Sequence, residues 1–136
     1  MYAPGGLAYV YLCYGIHHLF NVVTGPAGVP HAVLVRAGLP VAGLKTMLAR
    51  RGRTAADRTL MGGPGTLTQA LGIRREWSGT PLTGPELWLE DRGVAVADEH
   101  IVIGPRVGID YAGADAARPY RFRVAPAALA EFAARA

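Results

Sequence analysis

Two strand patterns that meet at a Tyr-Gly pair constrain the fold of this chain more than any other feature. Residues 7–13 read LAYVYLC, an aromatic and β-branched run, and residues 16–23 read IHHLFNVV, a second such run. Tyr14 and Gly15 lie between them, and glycine readily adopts the positive φ that tight hairpin turns need. The sequence therefore predicts an antiparallel hairpin with an aromatic side chain at its turn.

Shorter patterns predict the elements that follow the hairpin. Residues 31–37 are apolar at their centre and predict a third, buried strand. Helical spacing predicts a helix from Pro40 to Arg51, since proline suits the first turn. The arginine-rich segment that follows predicts a loop and a short helix. Residues 62–73, GGPGTLTQALGI, predict a glycine-rich turn that enters a short helix and stops at Gly72.

The last third of the chain predicts further short elements. Strand-like runs lie at residues 87–90, 100–104 and 120–124, and residues 127–136 predict a terminal helix. The predicted fold is α+β, a single domain over residues 1–136 with a mostly antiparallel sheet, a protruding hairpin and a few flanking helices.

Composition narrows the class of protein. The chain has 136 residues, of which 51% are hydrophobic, enough for one globular domain with a core. A formal charge of +4 suits a polyanionic partner, although proteins without one often carry such a surplus. One cysteine excludes a disulfide framework within the chain. No apolar run reaches membrane-span length and no secretion-signal pattern opens the sequence, so we expect a cytoplasmic protein and no membrane partner.

Strand alternation gives the hairpin tyrosines two possible roles. Tyr9, Tyr11 and Cys13 fall on one face of the first strand, and Tyr14 falls at the turn. The first interpretation is core aromatics with one exposed tip residue. The second is a stacking platform with a wedge, because aromatic faces stack on nucleobases and a wedge can enter a groove.

Other polar residues in these segments also have two interpretations. His17 and His18 are adjacent on a strand and point to opposite faces, so we expect no metal site there. Asn21 is either an edge or turn residue or a reader of a ligand edge. Arg36 ends a buried run and has either a structural ion pair or a place in a site. GGPGT lacks the G-x-x-x-x-G-K-[ST] pattern, so we expect no nucleoside triphosphate site.

Five segments together resemble the alkyladenine (3-methyladenine) DNA glycosylase family. They are LAYVYLCYGIHHLFNVV, AVLVRAGLP, GGPGTLTQALGI, PRVGIDYAG and RPYRFRV, in the family's order and across essentially the whole chain. The resemblance implies an open-barrel-like sheet and an enzyme that flips alkylated or deaminated purines, such as 3-methyladenine and hypoxanthine, out of duplex DNA and hydrolyses the N-glycosidic bond. It also implies damaged double-stranded DNA as partner, no cofactor, a monomer and a nucleoid-associated location.

The resemblance assigns roles to the hairpin residues. Tyr14 would fill the gap that the flipped nucleotide leaves, and Tyr11 would stack on the flipped base. Ile16 and His17 would lie near the DNA backbone, although His17 replaces a common tyrosine. Thr66 stands where many members carry a lysine, which removes one phosphate contact.

Further roles concern the pocket and the water that attacks the sugar. Asn21 would crowd the exocyclic amine of normal guanine at the pocket floor. Arg36 would lie beside the nucleophilic water and a phosphate, and the main-chain carbonyl of Val107 would hold that water. The family's general base is the glutamate of a Glu-Ala-Tyr motif before the hairpin. No glutamate of this chain precedes Ala-Tyr; the five are Glu76, Glu86, Glu90, Glu99 and Glu131.

The sequence leaves three functional hypotheses. The first is a DNA glycosylase of which this chain resembles the C-terminal two-thirds, with weak or no activity alone. The second is a DNA-binding remnant that inserts Tyr14 without cutting. The third is a basic sheet domain for protein contacts, which the five-segment resemblance argues against.

Overall fold

The computed structural model describes residues 1–133, which fall in two compact units, Met1–Glu90 and Asp91–Ala136. The strands and helices are β1 (Ala8–Cys13), β2 (His17–Val23), β3 (Ala32–Leu34), α1 (Leu44–Arg51), α2 (Pro64–Leu71), β4 (Ile101–Gly104), β5 (Arg121–Val124) and α3 (Leu129–Ala133). Short 3₁₀ turns lie at Arg75–Trp77, Asp98–His100, Asp110–Ala117 and Pro126–Ala128. The predicted α+β class with antiparallel sheets and several helices is confirmed.

The first unit is built on a three-stranded antiparallel sheet in the order β1-β2-β3. The register pairs Tyr9 with Asn21 and Cys13 with His17, so the predicted hairpin is confirmed. The outer edge of β1 is partly satisfied by the segment after α2, since the N–H of Gly79 donates to the carbonyl of Ala8 at 2.8 Å. The edge of β1 is therefore closed over part of its length, as buried backbone groups require.

Helix α2 forms where turn and cap signals coincide. Pro64 occupies its first turn, and the hydroxyl of Thr66 accepts from the N–H of Gly63 at 3.0 Å. Gly72 ends it in the left-handed region at φ 75°, and its N–H donates back to the carbonyl of Gln69. The predicted turn, helix and stop at Gly72 are confirmed.

The core of the first unit lies between one sheet face and α2. Val10 and Phe20 project from that face, and Leu67 and Ala70 meet them from the helix. Leu60, in the loop before α2, is completely buried. This packing fixes the position of the hairpin base, because its apolar residues are held by a second layer.

The second unit is a hairpin of β4 and β5 that pairs Ile103 with Phe122. Helix α3 follows the hairpin within the unit, after a 3₁₀ turn that carries the buried residue Ala128. The terminal helix predicted over residues 127–136 begins as an α-helix at Leu129 within the described chain, and residues 134–136 lie outside the described residues.

Several local predictions were wrong. The helix expected from Pro40 begins at Leu44, after Gly43 adopts φ 72°, because the left-handed glycine interrupts the helical path. The third strand is shorter than 31–37, and Val33 within it is exposed rather than buried.

Two further predictions also failed within the described residues. The run at 87–90 has no strand partner beyond an isolated bridge from Trp88 to Thr83. The arginine-rich segment after α1 forms turns and no helix. No helix in residues 1–133 combines the length and apolarity that crossing a bilayer demands.

Candidate nucleic-acid interface

The turn of the first hairpin exposes an aromatic ring at its tip. Tyr14 has φ 51° and Gly15 has φ 73°, and the N–H of Ile16 donates to the carbonyl of Cys13 at 3.1 Å. Positive φ at both central residues is the geometry that matches the twist of two antiparallel strands. Tyr14 is 83% exposed and Ile16 is also exposed. The turn therefore projects one aromatic and one aliphatic side chain into solvent.

Tyr9 and Tyr11 lie close together on the sheet face opposite the helix-covered core. Their ring centroids are 5.5 Å apart with an interplanar angle of 31°. Both tyrosines are half-buried, whereas Val10 between them is buried in the core. The predicted alternation is therefore present, and both tyrosines keep part of their surface exposed.

Asn21 shares this face, because it lies opposite Tyr9 in the register. It is only 7% exposed, and its side-chain Nδ2 donates to the carbonyls of Tyr9 at 3.1 Å and Leu19 at 3.3 Å. An amide NH₂ has two donors, so both are engaged. The orientation of this side chain is therefore fixed by the strands on which it lies.

The turn end of β2 is fixed on α2. A Cβ at Gly65 would lie 2.9 Å from Nδ1 of His17, so the imidazole packs directly on the glycine. The hydroxyl of Thr68 donates to the carbonyl of His18 at 2.7 Å. These contacts join β2 to α2 and hold the strand that leads to the tip.

The remaining predicted residues lie away from the strands. Arg36 follows Val35, two residues beyond β3, and is half-buried. Val107 belongs to the second unit, in the bend after β4, and its side chain is exposed. One hairpin thus carries five of the predicted site residues; these are Tyr11, Tyr14, Ile16, His17 and Asn21.

Sequence reasoning missed a cleft beside the turn end of the hairpin. It has a volume of about 450 Å³, and Arg50 of α1 and Arg74 just after α2 line it together with His17 and His18. The available signal is the run LARRGR at residues 48–53, whose pattern predicts only the end of a helix and a solvated loop. Within residues 1–133 no group of three or more His, Cys, Asp or Glu side chains has a metal-binding arrangement.

Comparison with known proteins identifies relatives that are named as 3-methyladenine DNA glycosylases. A DNA-3-methyladenine glycosylase of Arabidopsis thaliana is 50% identical over 113 residues, which are 82% of this chain and 44% of that protein. Two bacterial proteins are named "Putative 3-methyladenine DNA glycosylase". The one from Chlamydia pneumoniae is 44% identical over 93% of this chain and 63% of its own length. The one from Anaeromyxobacter dehalogenans is 48% identical over 90% and 52%, respectively.

The chain thus spans between 44% and 63% of the length of these three relatives. The family model described as methylpurine-DNA glycosylase matches residues 1–128, nearly the whole chain. With a match of this extent and relatives at these identities, the chain belongs to the methylpurine-DNA glycosylase family.

Proposed function

We propose that residues 1–136 are the part of one glycosylase domain that opens duplex DNA and holds a flipped, damaged purine. The observation that carries the proposal is the ring of Tyr14, exposed at a turn whose backbone is fixed by the Cys13–Ile16 hydrogen bond. A rigid, exposed ring can enter a groove and replace an unstacked base. The ligand is duplex DNA, and the domain acts as a monomer without a cofactor.

The paired tyrosines suit the recognition of an alkylated base. A purine methylated at a ring nitrogen carries positive charge, and an aromatic face attracts a cation as well as stacking on a base. Tyr11 is half-buried on the sheet face opposite the core, and the ring centroid of Tyr9 lies 5.5 Å from that of Tyr11. We propose that Tyr11 stacks on the flipped base and that 3-methyladenine and hypoxanthine are among the substrates.

Asn21 supplies selectivity in this proposal. Because both its N–H groups are engaged with main-chain carbonyls, the amide cannot turn away from a base that collides with it. A normal guanine has an exocyclic amine that hypoxanthine lacks. The fixed amide therefore excludes guanine by its bulk at the pocket floor.

Hydrolysis needs groups on the sugar side of the site. We propose that Arg36 lies beside the attacking water and a phosphate, and that the main-chain carbonyl of Val107 orients the water. Neither group accepts the proton, since a guanidinium stays protonated at any working pH and an amide carbonyl is a very weak base. A carboxylate is the usual general base, and none of the chain's five glutamates precedes Ala-Tyr.

A second candidate function follows from this last observation. Without the Glu-Ala-Tyr carboxylate, the 136-residue chain binds and distorts damaged DNA but excises little or nothing. The two functions separate in single-turnover excision of hypoxanthine or 3-methyladenine from duplex DNA. The purified 136-residue chain is compared with a version extended upstream through a Glu-Ala-Tyr motif.

The extended version should excise faster by roughly 10²–10⁴-fold, which is the usual contribution of a general base. Equal rates would contradict the requirement for the missing carboxylate. The in-frame DNA upstream of the Met1 codon gives an independent check. An open frame that encodes Glu-Ala-Tyr supports the enzyme, and a stop codon there supports the non-catalytic protein.

A further inference from the structure

A basic cleft opens beside the hairpin, within the first unit. Its volume is about 450 Å³, and it is enclosed by the start of β2, the last turn of α1 and the C-terminal half of α2. Arg50, Arg74, His17 and His18 line it, and no acidic residue is among its lining residues. A concave surface that gathers cationic and imidazole groups without a carboxylate attracts an anion.

The two arginines differ in how they are held. One N–H of the Arg50 guanidinium donates to the carbonyl of Ala70 at 3.2 Å. The glycine at position 72 makes room for it, because a Cβ there would lie 2.8 Å from Cζ of Arg50. The guanidinium is therefore packed against the end of α2, and it has five N–H donors, of which this bond uses one.

Arg74 has no such structural engagement. It is exposed, and among residues 1–133 its side chain has neither a hydrogen bond nor an ion pair. The Nδ1 atom of His18 is buried and also finds no hydrogen-bond partner among the described residues. The cleft therefore has two further nitrogen-bearing side chains, Arg74 and His18, with nitrogen atoms that the described residues do not engage.

The cleft begins at the tip of the hairpin. Ile16, which follows the Tyr14-Gly15 turn, is one of its lining residues. A DNA strand whose base is displaced by the Tyr14 ring has its neighbouring phosphates beside this tip. Guanidinium groups bind phosphate oxygens with two parallel hydrogen bonds, which suits both arginines to a phosphodiester.

We propose that this cleft is a DNA-backbone site that binds a phosphodiester group next to the nucleotide displaced by Tyr14, with Arg50 and Arg74 as its cationic ligands. The inference rests on the proposed function, since it presumes that the wedge enters duplex DNA. The cleft adds a second point of contact with DNA beside the wedge. It fixes the position of the DNA strand along the protein, and the Tyr14 ring separates the stacked bases.

The test measures binding of the full 136-residue chain to a duplex that carries an abasic analogue, over a series of salt concentrations. Arg74→Gln should lower the magnitude of the slope of log K against log salt by about 1, because one phosphate contact is lost. Its affinity at low salt should fall roughly tenfold, as expected for a charged hydrogen bond. Arg50→Gln should behave in the same way if the variant melts like the parent.

Two controls fix the interpretation. Arg53→Gln removes the same charge from an exposed arginine that pairs with Asp57 outside the cleft, and it should change the slope by much less. Arg74→Lys keeps the charge and should keep the slope. If Arg74→Gln and Arg53→Gln have equal effects, the cleft assignment is overturned and only a diffuse charge effect remains.

The results also show which assignment is wrong, that of the cleft or that of the Tyr14 wedge. Loss of binding by Tyr14→Ala with an unchanged slope for Arg74→Gln overturns the cleft alone. Absence of binding by the parent chain overturns both. If Arg74→Gln loses as much affinity for single-stranded RNA of the same length as for the duplex, the assignment of the cleft to duplex DNA is overturned.

Discussion

The molecule contains two antiparallel hairpins that differ in what covers their apolar side chains. In the first unit Phe20 is 4% exposed, because α2 packs on the face of β1 and β2 that carries it. In the second unit Phe122 is 63% exposed, although it lies opposite Ile103 in a regular ladder. Two antiparallel strand pairs thus give one buried phenylalanine and one exposed phenylalanine.

The difference shows which level of structure decides burial. Alternation places apolar residues on one face of a strand pair, but only a second layer removes that face from water. The first unit supplies that layer with α2 and the loop residue Leu60. The second unit has Ala128 as its buried apolar residue within the described chain. The first hairpin is therefore expected to be the stable one.

The largest expected effect comes from truncating the phenylalanine of each hairpin. Phe20→Ala should lower the free energy of unfolding by ~3–5 kcal/mol, since it removes a buried ring and leaves a cavity. Phe122→Ala is the matched control and should change it by less than about 1 kcal/mol, because its ring is already in water. Denaturant unfolding measures both. Equal losses would mean that the second face is covered in solution.

Two exposed tyrosines give the next test. Tyr14 at the tip of the first hairpin is 83% exposed, and Tyr111 in the second unit is 84% exposed. Tyr14→Ala should weaken binding to an abasic-analogue duplex by ~1–3 kcal/mol, the usual value of one stacked ring. Tyr111→Ala should leave the affinity nearly unchanged. A comparable loss from Tyr111→Ala would break the comparison by making the second unit part of the DNA contact.

The tyrosine face of the first hairpin gives a third and smaller effect. In a version extended through Glu-Ala-Tyr, Asn21→Ser should raise excision of undamaged guanine relative to hypoxanthine. A change of roughly tenfold is expected, as for the loss of a modest steric exclusion. Competition between the two substrates in single-turnover assays measures the ratio. An unchanged ratio would remove Asn21 from the exclusion of guanine.

The smallest effect concerns the loop that joins the two helices beside the first hairpin. The side chain and main chain of Thr59 donate hydrogen bonds to Asp57 and lower the pKa of that carboxyl below its ordinary value of 3.8, with Arg53 nearby adding to the effect. A carboxyl with a lowered folded-state pKa stabilises the fold above its unfolded pKa, and that contribution disappears as pH falls through the folded value.

Asp57→Asn should therefore melt slightly below the parent chain at about pH 7, and the two should melt alike at about pH 2. Thermal unfolding at both pH values measures this, and Thr59→Ala should reproduce the loss because it removes the hydroxyl donor. A difference that persists in acid would assign the effect to packing rather than to the charge of Asp57.

Predictions from the sequence succeeded where the signals were local. Tyr14-Gly15 and Gly72 mark a turn and a helix end through their own backbone preferences, and both lie where they were predicted. The predicted start of the first helix at Pro40 was wrong, and a glycine is again the cause. Gly43 takes a left-handed conformation that depends on the path of the surrounding chain, which residue spacing alone does not reveal.

Predictions that needed a distant partner were less successful. The run at 87–90 has a strand pattern but finds no neighbouring strand to complete a ladder among the described residues. The cleft was missed because three separate elements create it, and Arg50 reads in sequence as an ordinary helix residue. The resemblance supplied roles for Tyr11 and Asn21, but the hydrogen bonds that fix Asn21 required the structure.

The left-handed backbone of Tyr14 has a consequence for how such a protein can be improved. A bulky L-residue at positive φ costs roughly 1–2 kcal/mol that glycine does not, so this turn is more strained than it needs to be. A laboratory selection for thermostability alone would favour glycine at this position and would remove the ring as a side effect. In the proposed function, DNA binding and stability make opposite demands at Tyr14, so a stabilising campaign has to screen for DNA binding at every round.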